Sequence, residues 1–303
     1  MLQEYQWLFW PVVGTLILAV AIVKGFAKSI NGEKESGDEI DDTHTQCKSE
    51  ACVRCNTYKN VLGVAYKRLK HYNSNQQSEL LRIHEAIAVD ADQEKKFEVK
   101  LQCPNVLYIP GLTAKPWWEC TRQDMEVIIQ NNIKDIRDEY MNVSTSDDGW
   151  LLNTTPTGSW NVFHLMNQGS FIEANCQKCP LTTQVINLVE DLMVGNVFGN
   201  ACFSVLHPGT HITPHYGPTN ARLRCHIPVG EFRPSGCYLT VAKDKRECWL
   251  DDGCVFFDDS FLHEAIHEGI DSEPRAVLIL DLWHPDINKA ERDALNYIFS
   301  PNA

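Results

Sequence analysis

The chain has 303 residues, of which 44% are hydrophobic and 22% are charged; this globular composition excludes whole-chain disorder, collagen and coiled coil. Its formal net charge of -13 argues against bulk electrostatic binding to nucleic acid, so no nucleic-acid partner is expected. A single long apolar segment allows at most one membrane span, which excludes channels and transporters.

That apolar segment, residues 7–23, contains no charged side chain. As a helix it would be about 25 Å long, the short end of a transmembrane span. The alternative is a cleaved signal peptide, for which Ala19-Val20-Ala21 offers a cleavage pattern, although no basic residue precedes the segment. We therefore predict a signal-anchor transmembrane segment at 1–28.

Two sets of features predict opposite membrane orientations. Lys24 and Lys28 follow the span, and the positive-inside rule would then place the C-terminal part in the cytosol. Two glycosylation sequons, which begin at Asn142 and Asn153, and an even count of 12 cysteines favour an oxidising lumen instead. We predict a single-pass, type II membrane glycoprotein whose large domain lies in the lumen of the endoplasmic reticulum or Golgi.

Residues 29–56 form the next segment, which is acidic and contains cysteines. Mutually repelling carboxylates and few apolar residues predict a solvated linker. At its end, Cys47, Cys52 and Cys55 are interpreted as part of a disulfide staple, with a zinc knuckle as the alternative.

The remainder divides into a short helical region at 57–100 and a large domain at 101–303. Apolar residues at helical spacing predict two helices within 57–90 and a third at 122–140. After Trp160, short β-rich runs are separated by Gly, Pro, Asn and Asp, with one helix at 182–193. The predicted strands are 160–166, 201–206, 221–229, 236–242, 254–258, 264–268 and 275–283. Many short strands in one region predict a sandwich or jelly roll.

Arginines and histidines are concentrated in the strand region. In a strand, Arg222, Arg224 and His226 would share one face, which would be costly to bury without an anion. The alternative is that this face is exposed to solvent. Arg275 begins an otherwise apolar strand, and a guanidinium in that position suggests a buried carboxylate ligand.

The run His263-Glu264-Ala265-Ile266-His267 matches the H-E-x-x-H signature of zinc metalloproteases. That signature requires a helix, which brings both histidines to one face. Here a strand leads into the motif, so a protease remains only a distant alternative.

Several ordered motifs resemble the aspartyl/asparaginyl β-hydroxylase family. They are Leu107-Tyr108-Ile109-Pro110-Gly111-Leu112-Thr113, His207-Pro208-Gly209-Thr210-His211, Pro214-His215-Tyr216-Gly217-Pro218-Thr219-Asn220, Arg222-Leu223-Arg224-Cys225-His226, Phe257-Asp258-Asp259-Ser260-Phe261-Leu262-His263-Glu264 and Asp281-Leu282-Trp283-His284-Pro285. The resemblance spans roughly residues 104–288. With the N-terminal span and the cysteine group, the chain is most similar to a membrane-anchored subgroup of that family.

The resemblance implies a mainly β fold, a double-stranded β-helix of jelly-roll or cupin type with flanking α-helices, here preceded by one N-terminal transmembrane helix. It also implies Fe(II), with 2-oxoglutarate and O₂ as co-substrates. His215 and His263 would be the iron ligands, and Gly217 stands where other oxygenases of this kind place a ligating carboxylate.

The remaining site residues follow from the same motifs. Arg275 would bind the distal carboxylate of 2-oxoglutarate, and Arg224 and His226 would line the same pocket. Ser204 and Trp160 match positions that contact the co-substrate. Four further histidines match no ligand position and are expected to be structural or to support the ligands: His207, His211, His267 and His284.

The predicted function is therefore that of a dioxygenase that hydroxylates Asp or Asn side chains of protein substrates in the secretory pathway. The main alternative is a non-catalytic member that keeps the fold as a binding or scaffolding module. Family hydroxylases that act on epidermal-growth-factor-like domains carry a long helical arm, of which 57–90 could be only a remnant. The co-substrate chemistry therefore transfers to this chain better than the substrate identity.

Overall fold

The computed structural model describes residues 61–72, 80–89, 101–119, 123–247, 249 and 253–301. The predicted anchor at 1–28 and the predicted linker and cysteine group at 29–56 lie outside these residues. The described part of the chain is mainly β, with antiparallel sheets and flanking helices.

The helices and strands are numbered here in chain order. The helices are α1 (Val61–His71), α2 (Leu81–Val89), α3 (Gln123–Ser144), α4 (Glu173–Cys176), α5 (Pro180–Asn187) and α6 (Lys289–Ile298). The strands are β1 (Trp117–Trp118), β2 (Trp150–Asn153), β3 (Trp160–Asn167), β4 (Ser170–Phe171), β5 (Ala201–Leu206), β6 (His211–His215), β7 (Arg222–Pro228), β8 (Cys237–Val241), β9 (Asp244–Glu247), β10 (Val255–Phe257), β11 (His263–His267) and β12 (Arg275–Trp283).

Two antiparallel sheets form the body of the domain. The larger has the order β1-β10-β7-β12-β5-β3-β2, with β4 paired to β3, and the smaller has the order β6-β11-β8-β9. Apolar residues from both sheets pack into one cluster, which includes Val277 and Ile279 of β12 and Leu239 and Val241 of β8. The two sheets therefore face each other across a shared core.

The other face of the larger sheet is covered by helices. Because side chains alternate along a strand, Phe203 of β5 and Leu278 of β12 point away from the smaller sheet. They pack against Ile129 and Ile136 of α3 and Ile186 of α5. The central strand β12 is buried along its whole length, as expected for a strand covered on both faces.

A separate helical layer lies beside the sheets. Leu69 of α1 and Ile83 of α2 pack with Leu295 of α6. Leu80, which directly precedes α2, belongs to the same cluster. Arg82 joins α2 to α6 through a 2.5 Å ion pair with Glu291. The two helices predicted within 57–90 are thus confirmed, and they pack on the C-terminal helix.

Each of the seven predicted strands is confirmed to within one residue at either end. The pattern did not reveal β6, because Pro214 interrupts it; β6 is an edge strand, where proline's missing N–H removes no ladder hydrogen bond. It also missed β9, whose four residues are all charged and exposed. The helix predicted at 182–193 is shorter, since α5 starts at Pro180 and ends at Asn187.

The fold-class prediction, a double-stranded β-helix preceded by a transmembrane helix, was wrong in that form. The described residues form two antiparallel sheets with flanking helices, and none of their helices combines the length and apolar character that a membrane span requires. The longest, α3, has 22 residues but carries exposed charges such as the Lys134–Asp138 pair. Residues 7–23, for which the span was predicted, lie outside the described part of the chain.

The described residues contain no disulfide, and the predicted staple of Cys47, Cys52 and Cys55 lies outside them. Seven cysteines fall in this part of the chain, and all have free thiols: Cys103, Cys176, Cys179, Cys202, Cys225, Cys237 and Cys254. Most are buried among apolar neighbours, where a thiol packs as a small hydrophobic group. Within the described part of the chain, the cysteines are therefore packing residues and not cross-links.

Candidate active site

His215 and His263 lie side by side at the edge of the smaller sheet. His215 ends β6, His263 begins β11, and the two residues are register partners. Their ring centroids are 4.1 Å apart. The pairing of two antiparallel strands thus brings together two side chains that are 48 residues apart in the sequence.

Backbone carbonyls orient both rings. Nδ1 of His215 lies 2.8 Å from the Thr213 oxygen, and Nδ1 of His263 lies 2.9 Å from the Phe261 oxygen. A carbonyl oxygen only accepts hydrogen bonds, so each Nδ1 carries the proton. In the neutral rings Nε2 then bears the lone pair, the state in which histidine binds a metal ion.

Gly217 occupies the place where a third ligand would be expected. A Cβ atom at this position would lie 2.5 Å from the Asp259 carboxylate, and the Gly217 N–H donates to the Asp259 carbonyl at 2.6 Å. Within the described residues, no group of three or more His, Cys, Asp or Glu side chains is arranged to hold a metal ion. His215 and His263 are thus a pair without a third such side chain among the described residues, and the Asp259 side chain lies beside Gly217.

The five residues predicted to contact the co-substrate share one face of the larger sheet. Strand register aligns Trp160 with Leu206 and Leu206 with Arg275, and Ser204 lies two residues before Leu206. On the next strand, His226 pairs with Ile279 and Arg224 with Asp281. Because alternate residues share a face, all five point towards the smaller sheet, which carries the two histidines.

Arg222 and Arg224 are neutralised by two buried carboxylates of the protein itself. Arg222 binds Asp259 through two hydrogen bonds of 3.1 and 2.5 Å and reaches Asp281 at 3.1 Å. Arg224 binds Asp281 through two hydrogen bonds of 2.8 and 3.1 Å. The anion that the basic face requires is thus supplied by the fold.

The neighbouring charges determine the protonation state of each carboxyl group in this network. Burial alone would raise the pKa of Asp259, but Arg222 and Arg224 outweigh it and hold that pKa below its usual range. The neighbouring Asp258 has no such cation, and burial raises its pKa to about 7. Two adjacent carboxyl groups therefore differ in charge state near neutral pH.

His226 lies in a different environment, although it is only two residues beyond Arg224. Its ring stacks on Trp249 at 5.8 Å and meets the edge of Phe257 at 5.0 Å. The side chain is buried, and neither ring nitrogen has a hydrogen-bond partner among the described residues. Burial lowers its pKa well below the ordinary value, and the Arg275 cation lowers it further, so the ring is neutral.

Arg275, Trp160 and Ser204 surround the same space. Arg275 is buried, and its guanidinium lies 4.6 Å from the centroid of the Trp249 ring. The Trp160 indole N–H donates to the Ser204 hydroxyl at 3.0 Å. One sheet face thus carries a buried cation, a hydroxyl and a neutral imidazole whose nitrogens have no partner among the described residues, a set of groups that suits an anionic ligand with oxygen acceptors.

Two of the other four histidines are structural. His267 donates from Nε2 to the Glu273 carbonyl at 2.9 Å and accepts the Gly269 N–H at Nδ1. His284 likewise donates to the Thr113 carbonyl and accepts the Asp286 N–H. Both nitrogens of each ring are used, which agrees with the prediction that neither is a ligand.

The remaining two histidines, His207 and His211, have other environments. Nε2 of His211 lies 2.7 Å from the Glu264 carboxylate on the neighbouring strand. Burial lowers the pKa of His207, with a smaller contribution from His267. Because 263–267 is a strand and His267 is fully hydrogen-bonded, the H-E-x-x-H run is not a protease zinc site.

Sequence reasoning missed three residues of this site. Asp281 could have been found, because a carboxylate directly after the apolar run of β12 is as conspicuous as Arg275 at its start. Asp259 lies in the motif Phe257–Glu264, but the sequence does not show which group it binds. Trp249 gave no signal, since it lies outside any strand and contributes only through its contacts with His226 and Arg275.

The chain is similar to several known proteins. The family model described as Aspartyl/Asparaginyl beta-hydroxylase matches residues 130–285. "Aspartate beta-hydroxylase domain-containing protein 2" of Homo sapiens is 38% identical over 285 residues, covering 90% of this chain and 76% of that protein. "Aspartate beta-hydroxylase domain-containing protein 1" of Mus musculus is 36% identical over 211 residues, covering 67% and 57%.

A further relative is the "Aspartyl/asparaginyl beta-hydroxylase" of Mus musculus, 34% identical over 194 residues, covering 62% of this chain and 26% of that protein. Among solved structures, a Pseudomonas putida prolyl-4-hydroxylase aligns with 53% of this chain and 98% of its own, at 13% identity and a TM-score of 0.32, too low to support an argument. The matches define an enzyme of the hydroxylase kind. The chain belongs to the aspartyl/asparaginyl β-hydroxylase family, which confirms the resemblance.

Proposed function

We propose that the protein is an Fe(II)- and 2-oxoglutarate-dependent dioxygenase that hydroxylates Asp or Asn side chains of protein substrates. One observation carries the proposal. The buried imidazole of His226, whose nitrogens have no partner in the described part of the chain, faces the same inter-sheet space as the His215–His263 pair. A neutral group of this kind is costly to bury unless a ligand completes its hydrogen bonds.

The histidine pair fits Fe(II). Neutral imidazole is a suitable ligand for this ion, and both rings present Nε2 because backbone carbonyls hold the Nδ1 protons. With two protein ligands, most coordination positions stay open for co-substrate and O₂. When bound, iron, 2-oxoglutarate and O₂ supply the oxidising power for hydroxylation.

The groups on this sheet face suit a dicarboxylate such as 2-oxoglutarate. The Arg275 guanidinium would bind one carboxylate, and Ser204, oriented by Trp160, would donate to it. His226 and Arg224 would orient the end of the molecule nearer the histidine pair. Trp249 and Phe257 flank His226 and would exclude water from the reacting end.

A protein substrate and a lumenal location are part of the proposal. The choice of Asp or Asn is supported by the names of the relatives. Asn142, which begins the first sequon, is exposed near the end of α3 and accessible for modification. A shift in electrophoretic mobility after endoglycosidase treatment, lost in Asn142→Gln, would support the location; an unglycosylated protein would contradict it.

The decisive experiment uses the full-length protein, loaded anaerobically with Fe(II), and follows succinate formed from 2-oxoglutarate under O₂. We expect succinate formation that is abolished in a His215→Ala/His263→Ala variant and strongly reduced in Arg275→Ala. His211→Ala is the matched control, since it removes a histidine from the same strand as His215, one that pairs with Glu264. Activity should persist in this control.

Two results would contradict this proposal. If the wild-type protein forms no succinate and binds neither Fe(II) nor 2-oxoglutarate in titrations, the dioxygenase proposal is overturned. The non-catalytic alternative, a scaffold built on the same fold, would then be favoured. Succinate formation that persists in the double histidine variant would equally contradict the assignment of the iron ligands.

A further inference from the structure

A segment upstream of the strands, residues 101–109, runs across both loops that carry the metal-binding candidates; it is called the strap below. One loop, residues 258–262, leads into His263. The other, residues 216–220, follows His215. The strap hydrogen-bonds to each of them in turn, although it is more than 100 residues away in the sequence from either.

The first half of the strap holds the loop before His263. The Cys103 N–H donates to the Ser260 carbonyl at 3.1 Å, and the Leu262 N–H donates to the Leu101 carbonyl at 2.9 Å. The side-chain amide of Gln102 donates to the Asp258 carboxylate at 3.1 Å and to the Ser260 hydroxyl at 3.0 Å. Phe261, whose carbonyl orients the His263 ring, is the bridge partner of Gln102.

The second half of the strap holds the loop after His215. The Asn105 side-chain amide donates to the Tyr216 carbonyl at 2.9 Å, and its main-chain N–H donates to the Gly217 carbonyl at 2.9 Å. The Val106 and Leu107 N–H groups both donate to the Pro218 carbonyl. The residues directly after His215 are therefore fixed by strap donors.

The strap is itself anchored away from the site. Leu107 and Ile109 are fully buried in the apolar cluster formed with the helical layer. The side chain of Asn220 closes the far end by bonding both the N–H and the carbonyl of Ile109. The strap thus connects the apolar layer to both loops, which also meet each other through the Gly217–Asp259 main-chain hydrogen bond.

We propose that Gln102 and Asn105 are positioning residues for the metal site, each acting through the loop of one histidine. This inference rests on the proposed function, because it assumes that His215 and His263 bind iron. The two amides lie three residues apart on one segment, and each holds the loop next to one histidine. Residues that orient metal ligands indirectly commonly change metal affinity by about 10- to 100-fold when mutated.

The test measures metal binding to the full-length protein, with Co(II) and Mn(II) as probes under anaerobic conditions. Asn105→Asp keeps the shape of the side chain but replaces its N–H donor with an oxygen that faces the Tyr216 carbonyl. Gln102→Ala removes the amide that donates to Asp258 and Ser260. We expect each variant to weaken Co(II) affinity by about tenfold and to alter the visible absorption bands of the bound ion, which report ligand geometry.

The matched control is Asn132→Asp on α3, where the amide makes the same kind of bond to a carbonyl, that of Ile128 at 2.8 Å. It should leave Co(II) affinity unchanged. Thermal unfolding of all variants, measured without metal, separates positioning from folding. The metal-free melting temperature of Asn105→Asp should match that of the control, since both substitutions remove one comparable hydrogen bond.

The outcomes distinguish this proposal from the one on which it depends. If wild-type protein binds Co(II), the double histidine variant does not, and the strap variants bind as tightly as wild type with unchanged spectra, the positioning role is wrong and the metal site stands. If the loss of affinity only follows the loss of thermal stability, the strap is merely structural. If wild-type protein binds no Co(II), both the metal site and the positioning role are overturned.

Discussion

The inward face of β7 is polar and largely buried, yet its two ends differ in one respect. At one end, Arg222 and Arg224 are fully engaged by Asp259 and Asp281. At the other, His226 lies between two aromatic rings without a hydrogen-bond partner among the described residues. A buried polar group that the fold satisfies stabilises the structure, whereas one that it leaves unsatisfied points to a ligand.

The largest effect is expected from breaking the satisfied end. Asp281→Ala would remove the carboxylate shared by Arg222 and Arg224 and leave one buried and one half-buried cation undercompensated. We expect the free energy of unfolding to fall by about 3–5 kcal/mol in denaturant titrations. Asp191→Ala is the control, because its ion pair with Arg292 is partly exposed and should contribute less than about 1 kcal/mol. Equal losses in the two variants would refute the distinction.

A second prediction contrasts Asp258 with Asp259. Since the pKa of Asp258 in the folded protein is about 7 rather than 3.8, the native state holds this proton more tightly than the unfolded chain. The resulting stability is present below pH 4 and is lost as the pH rises through 7. Between pH 5 and pH 8 the loss should be about 2–3 kcal/mol.

Asp258→Asn should remove that part of the pH dependence, because the amide cannot ionise yet can still accept the Ser260 N–H. Denaturant titrations at pH 5, 6, 7 and 8 would measure the difference from wild type. Asp259 contributes no slope in this window, since its pKa lies below the usual range. A variant whose stability falls with pH as steeply as wild type would show that Asp258 is ionised throughout.

The third prediction concerns the space between Gly217 and the satisfied end. Gly217→Ala would place a methyl group 2.5 Å from the Asp259 carboxylate, which Arg222 holds in position. We expect a destabilisation of about 1–3 kcal/mol by thermal or chemical unfolding. Gly195→Ala does not serve as a control, because its backbone has a positive φ of 75°. Gly63→Ala does, since nothing lies within 4 Å of its added Cβ.

The smallest effect on folding is expected at the other end of β7. His226→Phe keeps a flat ring between Trp249 and Phe257 and loses no hydrogen bond among the described residues, so stability should change by less than about 1 kcal/mol. Affinity for 2-oxoglutarate, measured by calorimetry on the Mn(II)-loaded protein, should fall by about tenfold or more. A large loss of stability with unchanged 2-oxoglutarate binding would show that His226 stabilises the fold and does not bind the ligand.

Local pattern predicted the strands well and some of the helices poorly. Strands such as 201–206 and 275–283 are apolar runs bounded by turn residues, and this signal depends on few distant contacts. α6 was overlooked even though Asn288 and Glu291 form a capping box at its start, a signal that was present in the sequence. β6 was overlooked because only its position at a sheet edge makes Pro214 acceptable.

The fold brings the predicted site residues together. The sequence did not show which side chains of the protein bind them. Trp160, Ser204, Arg224, His226 and Arg275 share one sheet face because strand alternation and register place them there. The basic face of β7 was expected to require an anion. Which arginines meet a ligand and which meet the protein's own Asp259 and Asp281 depends on groups 35 or more residues away.

The sequence by itself determined seven of the twelve described strands, the family and the residue types of the site, because these depend on alternation, turn residues and ordered motifs. Tertiary structure alone decided that Arg222 and Arg224 are paired internally, that Trp249 covers His226, and that the strap spans both histidine loops. The reason is physical. The charge and hydration of a buried group are set by whatever packs against it, and those neighbours come from distant segments that only the folded chain brings into contact.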